Sequence, residues 1–269
     1  MSTNLEQKLA RKIAQANTDF QLIEDGDRIM VGVSGGKDSW VMLHMLERMR
    51  RVAPIHFELV AFHLDQGHPG FPTDVIQKHF DEHGFTHVIH SQDTYSVVKA
   101  KLKPGQTTCS LCSRLRRGIM YNQAVELGCN KIALGHHRDD MVETLLLNIF
   151  FSGQLKGMPP KLFSDDRRNI VIRPLAYCGE EMIARYAREQ GYPLIPCTLC
   201  SAQDGLQRDA MKAMLNQLEA RYPEVRNIAF ASMANVRTTH LLDRSLYDPN
   251  DAEAPAPVSA EELVASIPV

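Results

Sequence analysis

Four of the six cysteines come in two pairs of identical spacing, Cys109-Ser-Leu-Cys112 and Cys197-Thr-Leu-Cys200. A C-x-x-C pair brings two thiols within reach of one metal ion or of each other. The pairs begin 88 residues apart, far beyond the ~15–20 residue spacer of a local zinc ribbon. A joint site therefore requires the fold to bring them together. Three chemistries suit such thiols: a structural zinc site closed by four thiolates, a redox or persulfide pair, and an iron–sulfur cluster. Residue types alone leave all three open. Cys129 and Cys178 stand singly and read as buried small hydrophobes.

A second constellation is Ser34-Gly35-Gly36-Lys37-Asp38-Ser39, between an apolar run and a helical pattern. Two glycines let the backbone turn tightly and bring N–H groups to an anion. The helix N-terminus adds unpaired donors and the positive end of its dipole. Ser34 and Ser39 supply hydroxyls, Lys37 a point charge and Asp38 a contact for Mg2+. Neither the GxxxxGK[ST] spacing of a Walker loop nor GxGxxG is present. A third cluster, Gly135-His136-His137-Arg138-Asp139-Asp140, gathers two imidazoles, a guanidinium and two carboxylates after another apolar run. One acid suffices to cap the helix that follows, which leaves the other for chemistry, and Asp140 is the candidate.

The elements that must position these residues alternate. Residues 4–20 form an amphipathic helix with Leu5, Leu9, Ile13 and Phe20 on one face and Lys8, Arg11 and Lys12 on the other. Strands are expected over 27–33, 56–64, 86–91, 131–135 and 170–172. Helices are expected over 38–50, 73–84, 113–128, 139–151 and 180–190, with a polar loop before residue 113 and two further helices near 207–220 and 224–235. This is the pattern of an α/β fold, an open and mostly parallel sheet with helices on both faces, which binds ligands at the carboxyl ends of its strands. The expected organisation is an N-terminal helix (1–23), a catalytic body (24–200), C-terminal helices (201–247) and a disordered acidic tail (248–269).

The chain has 269 residues with 44% hydrophobic content, enough for a sizeable core. No apolar run approaches the ~18 residues of a membrane span and no signal-peptide pattern opens the sequence, which predicts a cytoplasmic protein away from the membrane. The net charge of −2 argues at first against a nucleic-acid partner. However, five of the 32 acids lie in 248–269 without any Lys or Arg, leaving 30 basic and 27 acidic residues in 1–247. Nucleic-acid binding would then rest on patches: Lys8/Arg11/Lys12, Lys99/Lys101/Lys103, Arg114/Arg117, and Lys156/Lys161 with Arg167/Arg168. Each alone also reads as a solvated face. Met158-Pro159-Pro160 makes a stiff loop between Lys156 and Lys161.

The hexapeptide at 34–39 resembles the pyrophosphate-binding loop of the adenine nucleotide α-hydrolase-like (PP-loop, HUP-like) superfamily. Its enzymes cleave ATP between the α and β phosphates and leave AMP on the substrate. Phe62-His63-Leu64-Asp65-Gln66-Gly67 stands where that superfamily touches adenosine. Together with Cys109-Ser-Leu-Cys112-Ser-Arg-Leu-Arg-Arg-Gly, the 135–140 cluster, Lys156-Gly-Met-Pro-Pro-Lys161, Ile172-Arg-Pro-Leu175 and Ile195-Pro-Cys-Thr-Leu-Cys200, the motifs over residues 20–240 resemble the TtcA family of tRNA 2-thiocytidine synthetases.

The resemblance implies thiolation of cytidine 32 in the tRNA anticodon loop and a [4Fe–4S] cluster held by three cysteines. Carried over by position these are Cys109, Cys112 and Cys200, with Cys197 a neighbour. It implies ATP and Mg2+ held by Val33, Ser34, Gly35, Gly36, Lys37, Asp38, Ser39, His63, Leu64, Asp65, Gly135 and Asp140. Asp140, Arg116, Lys37 and Asp38 would act in catalysis. Sulfur would come from a donor system such as a cysteine desulfurase, and a homodimer is left open. Two other functions compete. Another PP-loop activity on tRNA, amidation or lysidine formation beside a structural zinc, predicts dispensable cysteines. A nucleotide-binding redox sensor predicts ATP binding without tRNA-dependent AMP release.

Overall fold

The computed structural model describes residues 4–101, 108–195 and 205–246. Helix α1 (Asn4–Phe20) leads into β1 (Arg28–Gly32), α2 (Lys37–Val52), β2 (Glu58–Asp65), α3 (Thr73–His83) and β3 (His87–Ser91). Then come α4 (Thr94–Lys101), α5 (Thr108–Glu126), β4 (Lys131–Ala133) and α6 (Arg138–Leu147), which ends in a π-helical turn, Asn148–Ser152. Strands β5 (Lys161–Phe163) and β6 (Ile170–Ile172) precede α7 (Glu180–Gln190), α8 (Gly205–Arg221) and α9 (Val225–Ser232).

The strand order is β3-β2-β1-β4-β6-β5, parallel except for the antiparallel edge strand β5. The chain steps outward from β1 through β2 to β3, then returns to place β4 on the other side of β1. The reversal opens a crevice between the loops that follow β1 and β4. Alternate residues of the central strands serve two cores. Ile29, Val31 and Ala133 pack with Trp40, Leu43, Leu46 and Ile183. Met30 and Ile132 pack with Phe62 and Ala124, against the apolar face of α5. Burial on both faces is what makes these strands read as continuous apolar runs.

Two elements differ from the sequence expectation. Helix α4 forms where the sequence predicts a polar loop, and α5 begins at Thr108 rather than 113. Of the apolar residues in α4, Val98 is buried but Val97 is exposed, so no helical stripe shows. Strand β5 has no counterpart among the expected strands. It has three residues, pairs only with β6 among the described residues and leaves Leu162 and Phe163 exposed. Lys12 also departs from its predicted face. It is buried in α1, and burial pushes its ammonium pKa down. It does not belong to an exposed basic patch. Lys103 and residues 248–269 lie outside the described residues.

One buried charge braces the sheet from below. Lys131 on β4 is 1% exposed, with its Nζ 2.6 Å from Asp27 Oδ2 and 2.7 Å from Glu24 Oε2. Asp27 also accepts hydrogen bonds from the Glu24 N–H and the Asn130 amide. We expect Lys131→Met to cost about 3–5 kcal/mol, because it leaves the buried Asp27 carboxylate without its cation. Equilibrium denaturation measures this, and a loss below about 1 kcal/mol would show that the pair contributes little.

Candidate active site

A cavity of about 380 Å³ occupies the crevice at the carboxyl ends of β1, β2 and β4, within the size range of small-ligand pockets. A second cavity, about 340 Å³, opens near Arg28 and Glu58, at the opposite ends of β1 and β2. An Arg28–Glu58 ion pair borders it, and none of the motif residues line it.

The loop after β1 is built by its glycines. Gly35 has φ +84°, and a Cβ there would sit 2.8 Å from Ile195 Cδ1. The Ile195 N–H donates to the Gly35 carbonyl at 3.0 Å. Gly36 is the N-cap of α2 in extended conformation with no side-chain cap, so the first amides of the helix keep their donors for an anion. The Ser39 hydroxyl donates to the Gly36 carbonyl at 2.8 Å and accepts from the Ser34 N–H at 3.2 Å, which holds the turn closed. From the other side, a Cβ on Gly135 would lie 3.1 Å from the Asp38 carbonyl carbon and from the Ser39 nitrogen. A Cβ at 135 would therefore press the end of β4 a few tenths of an ångström away from the start of α2.

The β2 end supplies His63, 2% exposed, whose Nδ1 lies 2.8 Å from the Val33 carbonyl. Its ring stacks on Phe71 at 5.3 Å and 14°. Burial pushes its pKa down, so the ring is neutral at physiological pH, and its Nε2 has no hydrogen-bond partner among the described residues. Leu64 lines the same wall. Asp65 turns away: its carboxylate accepts from the Gly67 N–H at 3.0 Å and the Thr73 hydroxyl at 3.2 Å.

The turn after β4 is capped by a histidine, not by an acid. His137 is the N-cap of α6, and a reciprocal pair of bonds joins it to Asp140. The His137 N–H donates to Asp140 Oδ2 at 3.0 Å, while the Asp140 N–H donates to His137 Nδ1 at 3.4 Å. His137 Nε2 lies 3.5 Å from Asp140 Oδ2 and 3.6 Å from Asp38 Oδ1. Asp38 and Asp140 both line the cavity, and the buried Asp38 Oδ1 has no hydrogen-bond partner among the described residues. Neighbouring His136 lines it too, and burial with Arg173 nearby pushes its pKa down to about 4. Asp139 is buried and serves the scaffold. It faces Arg138 at 3.1 Å and Arg226 of α9 at 3.4 Å, and it accepts the Glu180 N–H at 2.8 Å.

That last bond sets Glu180 at the start of α7, where its carboxylate bridges two lysines. Lys37 Nζ lies 3.2 Å from Oε1, and Lys212 Nζ of α8 lies 2.7 Å from Oε2. Burial disfavours the Glu180 charge, but Lys212 and Lys37 overcome this and hold its pKa at about 2. Arg208, also on α8, reaches Asp140 Oδ1 at 3.5 Å. Glu180, Lys212 and Arg208 sit in helical segments outside every motif, so sequence reasoning misses them.

Arg116 of α5 lines the cavity. Cys109 falls in the first turn of α5, and Cys112, buried, donates from its thiol to Gln66 Oε1 at 3.4 Å. Gln66 also lines the cavity, so the thiol is one side chain away from it. Cys197 and Cys200 lie outside the described residues. Cys129 and Cys178 are buried free thiols, as expected. Of the expected nucleotide contacts, Val33, Ser34, Gly36, Asp38, Ser39, His63, Leu64, Gly135 and Asp140 line one cavity, whereas Gly35, Lys37 and Asp65 do not.

On the flank, the buried Arg173 fixes the Pro-rich loop at two points. Its backbone N–H donates to the Pro160 carbonyl at 2.9 Å, and its guanidinium donates to the Pro159 carbonyl. Lys156 is exposed on that loop. Lys161 donates to the Gln21 carbonyl and lies 3.6 Å from Glu24.

The family model of the PP-loop domain matches residues 2–196. A tRNA-cytidine(32) 2-sulfurtransferase of Tolumonas auensis is 53% identical over 92% of this chain and 82% of its own length. One of Vibrio cholerae is 54% identical over 91% of this chain and 79% of its own. Among solved structures, the U34-tRNA thiolase NcsA from Methanococcus maripaludis, with its [4Fe–4S] cluster, superposes with a TM-score of 0.68 at 22% identity. That match covers 86% of this chain and 78% of NcsA, and it is a likeness of fold. By the extent and level of these matches, the chain belongs to the TtcA family of PP-loop sulfurtransferases.

Proposed function

We propose that the chain thiolates cytidine 32 of tRNA in two half-reactions at this one cavity. The observation that carries the reading is the continuity of the site: the cavity touches the phosphate loop and, through Gln66, the Cys112 thiol. In the first half-reaction the C2 oxygen of cytosine attacks the α-phosphorus of ATP, and diphosphate leaves. In the second, sulfide attacks C2 and AMP leaves with the former oxygen. Activation comes first because the urea-like carbonyl needs a good leaving group before sulfur can replace its oxygen.

The free amides at the start of α2, with the Ser34 and Ser39 hydroxyls, receive the phosphates. Glu180 and Lys212 hold Lys37 beside the loop, where its ammonium offsets the charge that develops on the transferring phosphoryl group. The two carboxylates flanking His137, Asp38 and Asp140, suit a hard cation such as Mg2+, and the unpartnered Asp38 Oδ1 is the atom available to it. Adenine fits the wall made by His63 and Leu64. Arg116 would stabilise negative charge on phosphate or sulfur.

Cys109, Cys112 and Cys200 would hold a [4Fe–4S] cluster, and thiolate donors fit it. When bound, that group supplies an iron without a protein ligand, a place to hold sulfide. The position of Cys112, one side chain from the cavity, supports this reading. Cytidine must leave its stack to reach the site. The exposed Arg114, Arg117 and Lys156 suit the backbone of the anticodon loop.

We expect anaerobically purified protein to release AMP and form 2-thiocytidine only with unmodified tRNA. Cys112→Ser and Cys200→Ser should each lose both the iron-dependent visible absorbance and thiolation. Full thiolation by a colourless Cys112→Ser protein would overturn the cluster assignment, and AMP release without tRNA dependence would overturn the substrate.

Glu180→Gln should lower kcat/KM for ATP by about 10–100-fold, the worth of a charge-assisted bond. The pH dependence has a definite sign. Because the Glu180 pKa is depressed from 4.5 to about 2, its bridge is intact above pH 4.5 and is lost only as pH falls toward 2. Kinetics between about pH 5 and 8 should therefore show no inflection assignable to Glu180, and one that disappears in Glu180→Gln would refute this.

A further inference from the structure

Away from the cavity, three imidazoles converge between α2 and α3. His44 lies on α2, and His79 and His83 lie one turn apart on α3. One ring nitrogen from each lies within 4.8 Å of the other two. We propose that His44, His79 and His83 form a binding site for a divalent transition-metal ion of the Zn2+ class, with solvent as the fourth ligand, that clasps α2 to α3.

Several features fit a nitrogen-only site. The i, i+4 spacing of His79 and His83 places both rings on one face of α3, a spacing familiar from zinc-binding helices. His83 Nδ1 lies 3.0 Å from the His79 carbonyl, so its N–H is spent on the helix and its Nε2 lone pair is free. This is the outer-partner arrangement that orients metal-bound imidazoles. His44 Nε2 and His79 Nε2 face each other at 2.9 Å. Two nitrogens bound to one tetrahedral ion at about 2.0–2.1 Å stand about 3.3 Å apart, so the pair must open by only a few tenths of an ångström.

The rings are also in the right protonation state. Burial pushes His44 down to about 3 and His79 to about 4, so both are neutral at physiological pH, as ligands must be. In the metal-free pair, one Nε2 carries the proton that the other accepts. Binding moves that proton to Nδ1 of the same ring, with no net release. His44 stacks on Tyr192 at 4.6 Å, and His79 packs on Trp40 at 4.5 Å, which fixes both rings before any ion arrives. His83 is exposed and gives the ion its entry. The donors are all imidazoles, which select Zn2+, Ni2+, Co2+ or Cu2+ over Mg2+ or Ca2+.

The test is Co2+ binding to the full-length, cluster-loaded protein and to His83→Gln. His83 is exposed, so its replacement opens no buried cavity, and cysteine-bound cobalt is common to both proteins and cancels in the difference. The wild type should bind one more equivalent of Co2+ than His83→Gln, or bind it more than about tenfold more tightly, the effect expected even of a lost outer partner. The difference spectrum should show visible cobalt bands without thiolate charge transfer, and Zn2+ should abolish it. His44→Phe should behave like His83→Gln. Equal cobalt uptake by wild type and His83→Gln, or a difference spectrum carrying thiolate charge transfer, overturns the site. Because the readout is metal uptake, it stands or falls separately from thiolation.

Discussion

The site depends on the close approach of two backbones. The end of β4 runs against the first residues of α2, so closely that a Cβ on Gly135 would press on the Asp38–Ser39 backbone. This contact sets the amides at the start of α2 beside the Asp38–His137–Asp140 group. The parallel pairing of β1 with β4 sets the contact from behind, and the buried Lys131–Asp27 pair braces the opposite end of the same strands. A sheet that reverses its order at this point makes the crevice. The absence of one Cβ decides how tightly it closes.

Charge in the site is organised in tiers. Asp139, although adjacent to Asp140, does not line the cavity. It neutralises Arg138 and Arg226 and aligns the first amide of α7. Glu180 can then stand between Lys37 and Lys212, and its depressed pKa shows how firmly the two lysines hold it ionised. Helices α8 and α9, which carry none of the motifs, thus contribute Arg208, Lys212 and Arg226 to the order of the site. Deleting them would strip a cationic partner from each acid of the 139–140 pair.

The fold is largely legible in the sequence, because a parallel sheet buried on both faces leaves apolar runs such as Ile29-Met30-Val31 that need no alternation to be seen. The site loops are legible because glycines and charges clustered at a strand end serve little purpose other than to receive a ligand. The failures share a cause. Strand β5 and helix α4 owe their existence to neighbours rather than to a pattern of their own. Lys12 reads as a solvent-facing charge because helical periodicity does not reveal that α7 and its approach cover that side of α1. The capping rule points to an acid at 139 or 140, but a histidine takes the cap, Asp140 answers it from the third helical position and Asp139 pairs with arginines. Glu180 and Lys212 come together from positions 32 residues apart, and no local signal joins them.

The bond from the Ile195 N–H to the Gly35 carbonyl acts as a short leash. It joins the phosphate loop to a residue 160 positions later in the sequence. The phosphate loop is thus held from outside by chain that follows α7, so its turn is fixed by a tertiary contact as well as by its own glycines.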